Sequence, residues 1–270
     1  MLTFSSVPAG AAGACSEAVS LFSSSDIFNL FLEAQKYLCI IPYLTLDMCY
    51  NRRMKHANRK GTVLVTGGVR RLGKSIADAL RADGWNVLVS SHRDVDGADI
   101  RADLSLPEGP ARLYAEALAV APDLCAIVNN AALFRGDDAT MEALNFIAPR
   151  KLTMLLAGRE GAGLCSVVNI LDSKVLGPAS DHDTPYERTK RGLLADTRRF
   201  AAMFAQSLRV NAVAPGPILP PDGIHEPSGE MLLDARPTPQ DVADAVSYLL
   251  SAKSVTGTVI PVDSGQHLVY

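Results

Sequence analysis

The chain carries no surplus of positive charge: 26 lysines and arginines stand against 29 acids, for a net charge of −3 and a pI near 6.0. That balance argues against nucleic acid or an anionic membrane surface as a partner. Cysteine is scarce. Cys15, Cys39, Cys49, Cys125 and Cys165 are an odd number without paired metal-ligand spacing, so neither a disulfide framework nor a metal site is expected. Cys125 and Cys165 open apolar runs and read as small buried thiols, which points to a reducing compartment, the cytoplasm. Long apolar runs are missing as well. The longest uncharged one, Tyr37 to Leu46, is ten residues and contains Pro42, too short to span a bilayer. No lysine or arginine precedes Lys36, so the start lacks the basic region of a secretory signal. Glu17, Asp26, Glu33 and Asp47 precede the first arginine, which speaks against a transit peptide.

What is present divides into two unlike parts. Residues 1–59 run from small polar residues through an apolar stretch to the basic NRRMKHANRK, and read as a non-catalytic extension. An upstream start, with Met54 as the native initiator, would leave the same pattern; a helix that packs or binds a partner is the other reading. Residues 60–270 form one domain of a size that buries a sizeable core.

Within that domain apolar runs alternate with helical stripes. Strands are expected at Thr62–Thr66, Asn86–Ser90, Asp99–Ala102, Cys125–Asn129, Ser166–Leu171, Arg209–Ala214 and Thr258–Val262. Helices are expected at Leu72–Asp83, Pro110–Val120, Ala139–Gly158, Pro185–Ala205 and Pro239–Ser251. The first helix shows its apolar face at 72, 76, 79 and 80 and stops at Gly84. Thr184 before Pro185, with Glu187 three residues after the cap, is a helix-start signal; Thr238, Pro239 and Asp241 repeat it. This rhythm predicts an α/β fold: a single doubly wound parallel sheet with helices on both faces. Only about eight residues join the second strand to the third, too few for a crossover helix.

Two elements carry chemistry. VTGGVRRLGKSIA begins at Val65, between a strand and a helix. There Gly67, Gly68 and Gly73 let a pyrophosphate approach the backbone and the unpaired N–H groups of a helix start. Arg70 and Arg71 occupy positions where many such turns have another glycine, and two guanidinium groups favour an additional phosphate. The second strand ends Ser90-Ser91-His92-Arg93, with no acid to bind a ribose 2′-hydroxyl, which favours NADPH over NADH. The second element is TPYERTKRGL, where Tyr186 and Lys190 lie four apart on one helix face. A phenol with ordinary pKa near 10 is a poor acid at neutral pH, and a neighbouring ammonium is expected to lower it. A tight turn without ligand would use the same glycines, and a core tyrosine would look like Tyr186; position decides between these readings.

TGGVRRLG, Asp103-Leu104 in IRADLS, Asn129-Asn130-Ala131, Asn145 in LNFIAP, YERTK, NAVAPGPI and VTGTVIPVDSG occur in the order seen in the short-chain dehydrogenases/reductases. The chain resembles that family from about Gly61 to Leu268. The resemblance implies a Rossmann fold and an NADP(H)-dependent oxidoreductase acting on a small molecule. It implies that Asp103 and Leu104 lie by the adenine, Asn130 and Ala131 by the ribose, and Leu72 in the glycine turn. It further places Pro215-Gly216 by the nicotinamide, Lys190 on its ribose, and Asn145 in support of a water chain to Lys190. A homodimer or homotetramer built on the long helices after the fourth and fifth strands follows too.

Within the family, Arg71 resembles the TGxxxRxG turn of the pteridine and dihydromonapterin reductases. His92-Arg93 after the second strand agrees with those enzymes. So does Phe134, where they place an aromatic against the pterin, and Arg71 would face the same substrate. Their fifth strand ends in an aspartate, here Asp172, rather than a serine; it could relay a proton to a ring nitrogen while Tyr186 acts as general acid. The spacing from Asp172 to Tyr186 is fourteen, one longer than usual, so Ser173 sits where the ordinary family serine falls. Ala132 stands where the pterin reductases often have serine, and the substrate loop, Ile218 to Arg236, is short and proline-rich. Three functions are thus in play: a pterin-like C=N reductase, a ketone or 3-oxo reductase working through Ser173, and a non-enzymatic NADP(H) sensor.

Overall fold

In a computed structural model of the protein, residues 60–161, 163–219 and 231–269 are described; the expectations for the extension, 1–59, and for much of the substrate loop, 220–230, lie outside them. Among the described residues seven parallel strands make one sheet: β1 (Thr62–Thr66), β2 (Asn86–Ser91), β3 (Ile100–Arg101), β4 (Leu124–Asn129), β5 (Cys165–Ile170), β6 (Leu208–Pro215) and β7 (Val259–Val262). Their order is β3-β2-β1-β4-β5-β6-β7, the doubly wound arrangement that the alternation predicted.

The apolar pattern sets which helix covers which face. Val63, Val65, Ala126, Val128 and Val168 pack against Ile76, Ala77 and Leu80 of α1 (Arg71–Ala82) and against Val242, Val246 and Leu249 of α6 (Pro239–Ser251). Leu64, Ile127, Val167 and Val210 point the other way. They meet Leu113 and Ala117 of α2 (Gly109–Val120), Leu152 and Leu156 of α4 (Ala148–Ala157), and Phe200 of α5 (Pro185–Met203). Strands covered on both sides must be continuously apolar, which is why β1 is buried at every residue.

Local signals act as written. Both capping boxes form: the Thr184 and Thr238 side chains accept from the backbone N–H of Glu187 and Asp241, whose carboxylates take the threonine N–H in return. Gly84, at φ +88, closes α1, and the Trp85 N–H reaches back to the Leu80 carbonyl at 3.0 Å. Residues 92–99 hold no helix.

Two elements differ from expectation. β3 is only Ile100–Arg101, because the Asp99 carboxylate takes the Val89 N–H at 2.8 Å in place of a ladder partner. The helix expected at Ala139–Gly158 is α3 (Asp138–Glu142), a π turn at Ala143–Ile147, and then α4. Pro149 lacks the N–H that would bond the Asn145 carbonyl, so the chain absorbs an extra residue there. That widened turn aims Asn145 inward.

Candidate active site

The glycine turn is fastened from beneath. Thr66 Oγ1 accepts the N–H groups of Asn130 and Ala131, each at 3.0 Å, and Asn130 Nδ2 donates to the carbonyls of Thr66 at 2.9 Å and Gly67 at 3.2 Å. A Cβ on Gly73 would lie 2.2 Å from the Gly67 oxygen and 2.6 Å from Asn130 Nδ2, so only glycine lets α1 seat against the turn. Arg70 caps α1 in extended backbone without a side-chain bond, and the first turn holds no acid. The helix start keeps its positive potential and uncapped N–H groups, a fit for a phosphate. Arg71 begins the helix at φ +50, a conformation where glycine is at ease and arginine is strained.

At the edge of β2, His92 and Arg93 stand exposed and touch each other, Arg93 Nε donating to His92 Nε2 at 3.0 Å. No acid ends the strand, and Asp94 lies beyond in the exposed loop. Asp103 is closed on Ser105: the hydroxyl at 2.6 Å and the backbone N–H at 3.0 Å hold its carboxyl below the usual range. Leu104 is buried in the core, Ala131 half-buried. On the other side of the sheet Pro215 ends β6, and the Gly216 N–H bonds the Val262 carbonyl at 3.0 Å. A Cβ on Gly216 would lie 2.7 Å from that of Asp263, so glycine is required there too.

The proton-handling residues gather at the ends of β4 and β5. Tyr186 Oη donates to Asp172 Oδ2 at 3.2 Å, and the other carboxylate oxygen takes the Lys174 N–H at 3.0 Å. Lys190 is buried and donates to the Ile170 carbonyl at 2.7 Å; its ammonium lies 5.7 Å from the Tyr186 ring centre. Phe134, 51% exposed, meets the Tyr186 ring edge to face at 4.9 Å. Asn145, buried in the π turn, accepts the Leu133 N–H at 2.7 Å and donates to the Leu133 carbonyl at 2.8 Å and to Thr189 Oγ1 at 3.3 Å. It ties the loop that carries Phe134 to the helix that carries Tyr186 and Lys190.

Electrostatics correct one expectation. Lysine was expected to pull the phenol down; instead burial, with the Asp172 carboxylate adding to it, holds Tyr186 well above its ordinary range. The lysine moves too: burial pushes Lys190 from 10.5 down to about 8, against the pull of Asp172. Tyr186 is therefore a protonated donor and Lys190 an ammonium at neutral pH. Ser173, placed by spacing beside Tyr186, turns the other way. It is buried in the turn Ser173–Leu176 and donates to Gln266 Oε1 at 3.4 Å.

Sequence reasoning missed residues that tie segments of the site together by hydrogen bonds. Thr66 and Thr189 are two. A third is Arg191, which gathers the loop before α5 through the carbonyls of Val175, Gly177 and Pro178 and the Asp183 carboxylate. A fourth is Gln266. Nothing local marks such residues in a sequence, although an arginine one residue past the lysine of Tyr-x-x-x-Lys could have been questioned. Among the described residues no cluster of His, Cys, Asp or Glu could hold a metal ion, and no helix is long and apolar enough to cross a membrane.

The family model described as Enoyl-(Acyl carrier protein) reductase matches residues 68–267. The protein named granaticin polyketide synthase ketoacyl reductase 2, from Streptomyces violaceoruber, is 33% identical, with 76% of this chain and 96% of that one covered. A dihydromonapterin reductase of Escherichia coli is 28% identical over the same shares, 76% and 96%. Among solved structures, FolM alternative dihydrofolate reductase 1 from Brucella canis, complexed with NADP, superposes with a TM-score of 0.68 at 30% identity. That match covers 78% of this chain and 96% of that one.

Proposed function

Because the chain belongs to the short-chain dehydrogenase/reductase family, we propose that it reduces a C=N bond of a pterin-like ring with NADPH. It is an NADP(H)-dependent oxidoreductase of that family. The observation that carries the finer reading is the pairing of Tyr186 with Asp172 at 3.2 Å, while Ser173 is occupied by Gln266. An aspartate facing the phenol suits a substrate that must be protonated on a ring nitrogen. The dihydromonapterin reductase relatives and the FolM structure support the same substrate class.

When bound, NADPH supplies the hydride. Arg70, Arg71, His92, Arg93 and the open start of α1 would hold its phosphates, with Gly67, Leu72 and Gly73 shaping the turn. Asp103 and Leu104 would flank the adenine, Asn130 and Ala131 the ribose, and Pro215-Gly216 the nicotinamide. Lys190 spends one of its three N–H groups on the Ile170 carbonyl and keeps two for ribose hydroxyls. Phe134 stacks on the flat ring and Arg71 faces it. Tyr186, held protonated, donates into the substrate, and half-buried Asp172 passes protons between solvent and that donor. Asn145 fixes the spacing between these two walls. The catalytic domain is residues 60–270, acting in the cytoplasm on a small molecule as a homodimer or homotetramer.

A second reading, a ketone or 3-oxo reductase, is favoured by the 33% identical ketoacyl reductase. Loss of NADPH absorbance with a dihydropterin and with a ketone panel separates the two. Tyr186→Phe should lose about 10²–10⁴-fold in turnover on either substrate while keeping its NADPH affinity. Asp172→Ala should be as damaging on the dihydropterin and Ser173→Ala nearly silent. Greater damage from Ser173→Ala, with ketones as the only substrates, refutes the pterin reading.

A further inference from the structure

Arg191 follows Lys190 on α5, and no step of the proposed chemistry passes through it. Its guanidinium is spent on the connection from β5 to α5. Nη1 donates to the carbonyls of Val175 at 3.0 Å and Gly177 at 2.8 Å, and Nη2 to the Pro178 carbonyl at 2.7 Å and Asp183 Oδ1 at 3.4 Å. Nε donates to Asp183 Oδ2. An arginine carries five N–H groups, and each of these has its acceptor here, so none is left for a ligand. The Arg191 and Asp183 side chains are only 20% and 11% exposed, and a two-pronged pair sheltered from water fixes direction as well as distance.

The partners fall at both ends of the segment that joins Asp172 to Tyr186. Val175 is three residues after Asp172, and Asp183 is three before Tyr186. Two hydrogen bonds lead from the guanidinium to the aspartate: the Val175 carbonyl accepts from Arg191, and the Val175 N–H donates to the Asp172 carbonyl at 3.2 Å. The Asp172 carboxylate is then turned by the Lys174 N–H at 3.0 Å and meets the Tyr186 hydroxyl at 3.2 Å. Residues 178–182, between the two ends, are exposed, so packing does not fix their path.

We infer that Arg191 is a positioning residue: it sets the approach of Asp172 to Tyr186 by clamping both ends of the segment between them onto the helix that carries the phenol. This rests on the proposed role of Asp172 and Tyr186 in moving the proton. The fork shape of the guanidinium is what the task requires, since a lysine offers its N–H groups from a single point.

The test has two readouts on the full chain, and the first needs no substrate. It is the NMR signal of the labelled Tyr186 ring carbon that bears the hydroxyl, assigned by its loss in Tyr186→Phe. Asp172→Ala removes the hydrogen bond and moves this signal. Arg191→Met should move it in the same direction and add nothing when combined with Asp172→Ala. Arg191→Lys keeps a cation beside Asp183 but cannot span both ends; it should shift the signal likewise, and it answers the question if the methionine variant does not fold. The second readout is turnover of a dihydropterin with NADPH. It should fall about 10- to 100-fold in Arg191→Met, the scale of a misplaced catalytic group, with the KM for NADPH unchanged, and fall no further when Asp172→Ala is already present. A Tyr186 signal unmoved by the Arg191 variants, or moved as far with Asp172 absent, makes the arginine a general support of the loop and overturns the inference. Full turnover by Asp172→Ala would instead overturn the proton-relay reading, and the two failures are told apart because the signal is measured without substrate.

Discussion

Lys190 costs the folded protein stability, and removing its charge exposes that cost. Burial lowers its pKa from 10.5 to about 8, which corresponds to about 3 kcal/mol of preference for the neutral amine. Methionine at 190 has a similar length and no charge. It leaves the Ile170 carbonyl without its 2.7 Å partner, a loss of about 1–2 kcal/mol. At pH 7 the cofactor-free Lys190→Met variant should therefore be more stable than the unmodified protein by about 1–2 kcal/mol. The sign of the pH dependence follows from proton counting. Between about 8 and 10.5 the unfolded chain holds a proton that the folded chain has released, so stability of the unmodified protein rises with pH by up to about 1.4 kcal/mol per unit. Below about 8 both states hold the proton and this contribution is flat. The variant has no such group, so its advantage at pH 7 should shrink above pH 8 and become a deficit near 10.5. Urea unfolding of both proteins across this range measures the difference directly. Two parallel curves would show that the lysine is not desolvated, and a variant already less stable at pH 7 would show the carbonyl bond to outweigh the buried charge. The same variant should lose both turnover and NADPH affinity, since the ammonium is needed by the ligand that offsets its burial.

Arg93→Ala should weaken NADPH by about 1.5–3 kcal/mol, the value of one charge-assisted bond, and leave NADH nearly unchanged; equal affinity of the unmodified protein for both cofactors would refute the phosphate assignment. A chain beginning at Met54 should fold and bind NADPH like the full one, checked by circular dichroism and calorimetry; lost solubility or binding would give residues 1–59 a structural role. Arg71 sits at φ +50, so Arg71→Gly should exceed Arg71→Ala in thermal stability by about 1 kcal/mol while both lose the same NADPH affinity. Alanine matching glycine there would mean the arginine backbone is unstrained.

The architecture was legible because the central strands are covered on both faces, and β1 is buried at every residue. Val63, Leu64 and Val65 alternate between the two helical layers, so all three are buried. The helix starts were legible because Thr184 and Thr238 satisfy the orphan N–H groups from within four residues. What depends on contacts between distant segments was not. The π turn needs Pro149 to withhold a donor, but its purpose, Asn145 bridging Leu133 and Thr189, exists only once α5 is in place. Thr66 and Gln266 likewise join segments far apart in sequence.

The tyrosine shows where motif reading stops and electrostatics begins. Tyr-x-x-x-Lys puts a phenol and an ammonium on one face, and a pairwise argument then lowers the phenol pKa. In the folded protein the lysine is committed to the Ile170 carbonyl, and the charge nearest the phenol oxygen is the carboxylate of Asp172. Burial disfavours phenolate and the carboxylate disfavours it further, so both effects act in one direction. The consequence is chemical. On the proposed function, a phenol kept protonated chiefly by burial, and further by Asp172, would have a proton to give and a neighbouring carboxylate through which to replace it. The one-residue lengthening between Asp172 and Tyr186 left open whether aspartate or serine would face the phenol. In the fold the Tyr186 hydroxyl lies 3.2 Å from the Asp172 carboxylate, while Ser173 bonds Gln266 in the turn after β7 at 3.4 Å.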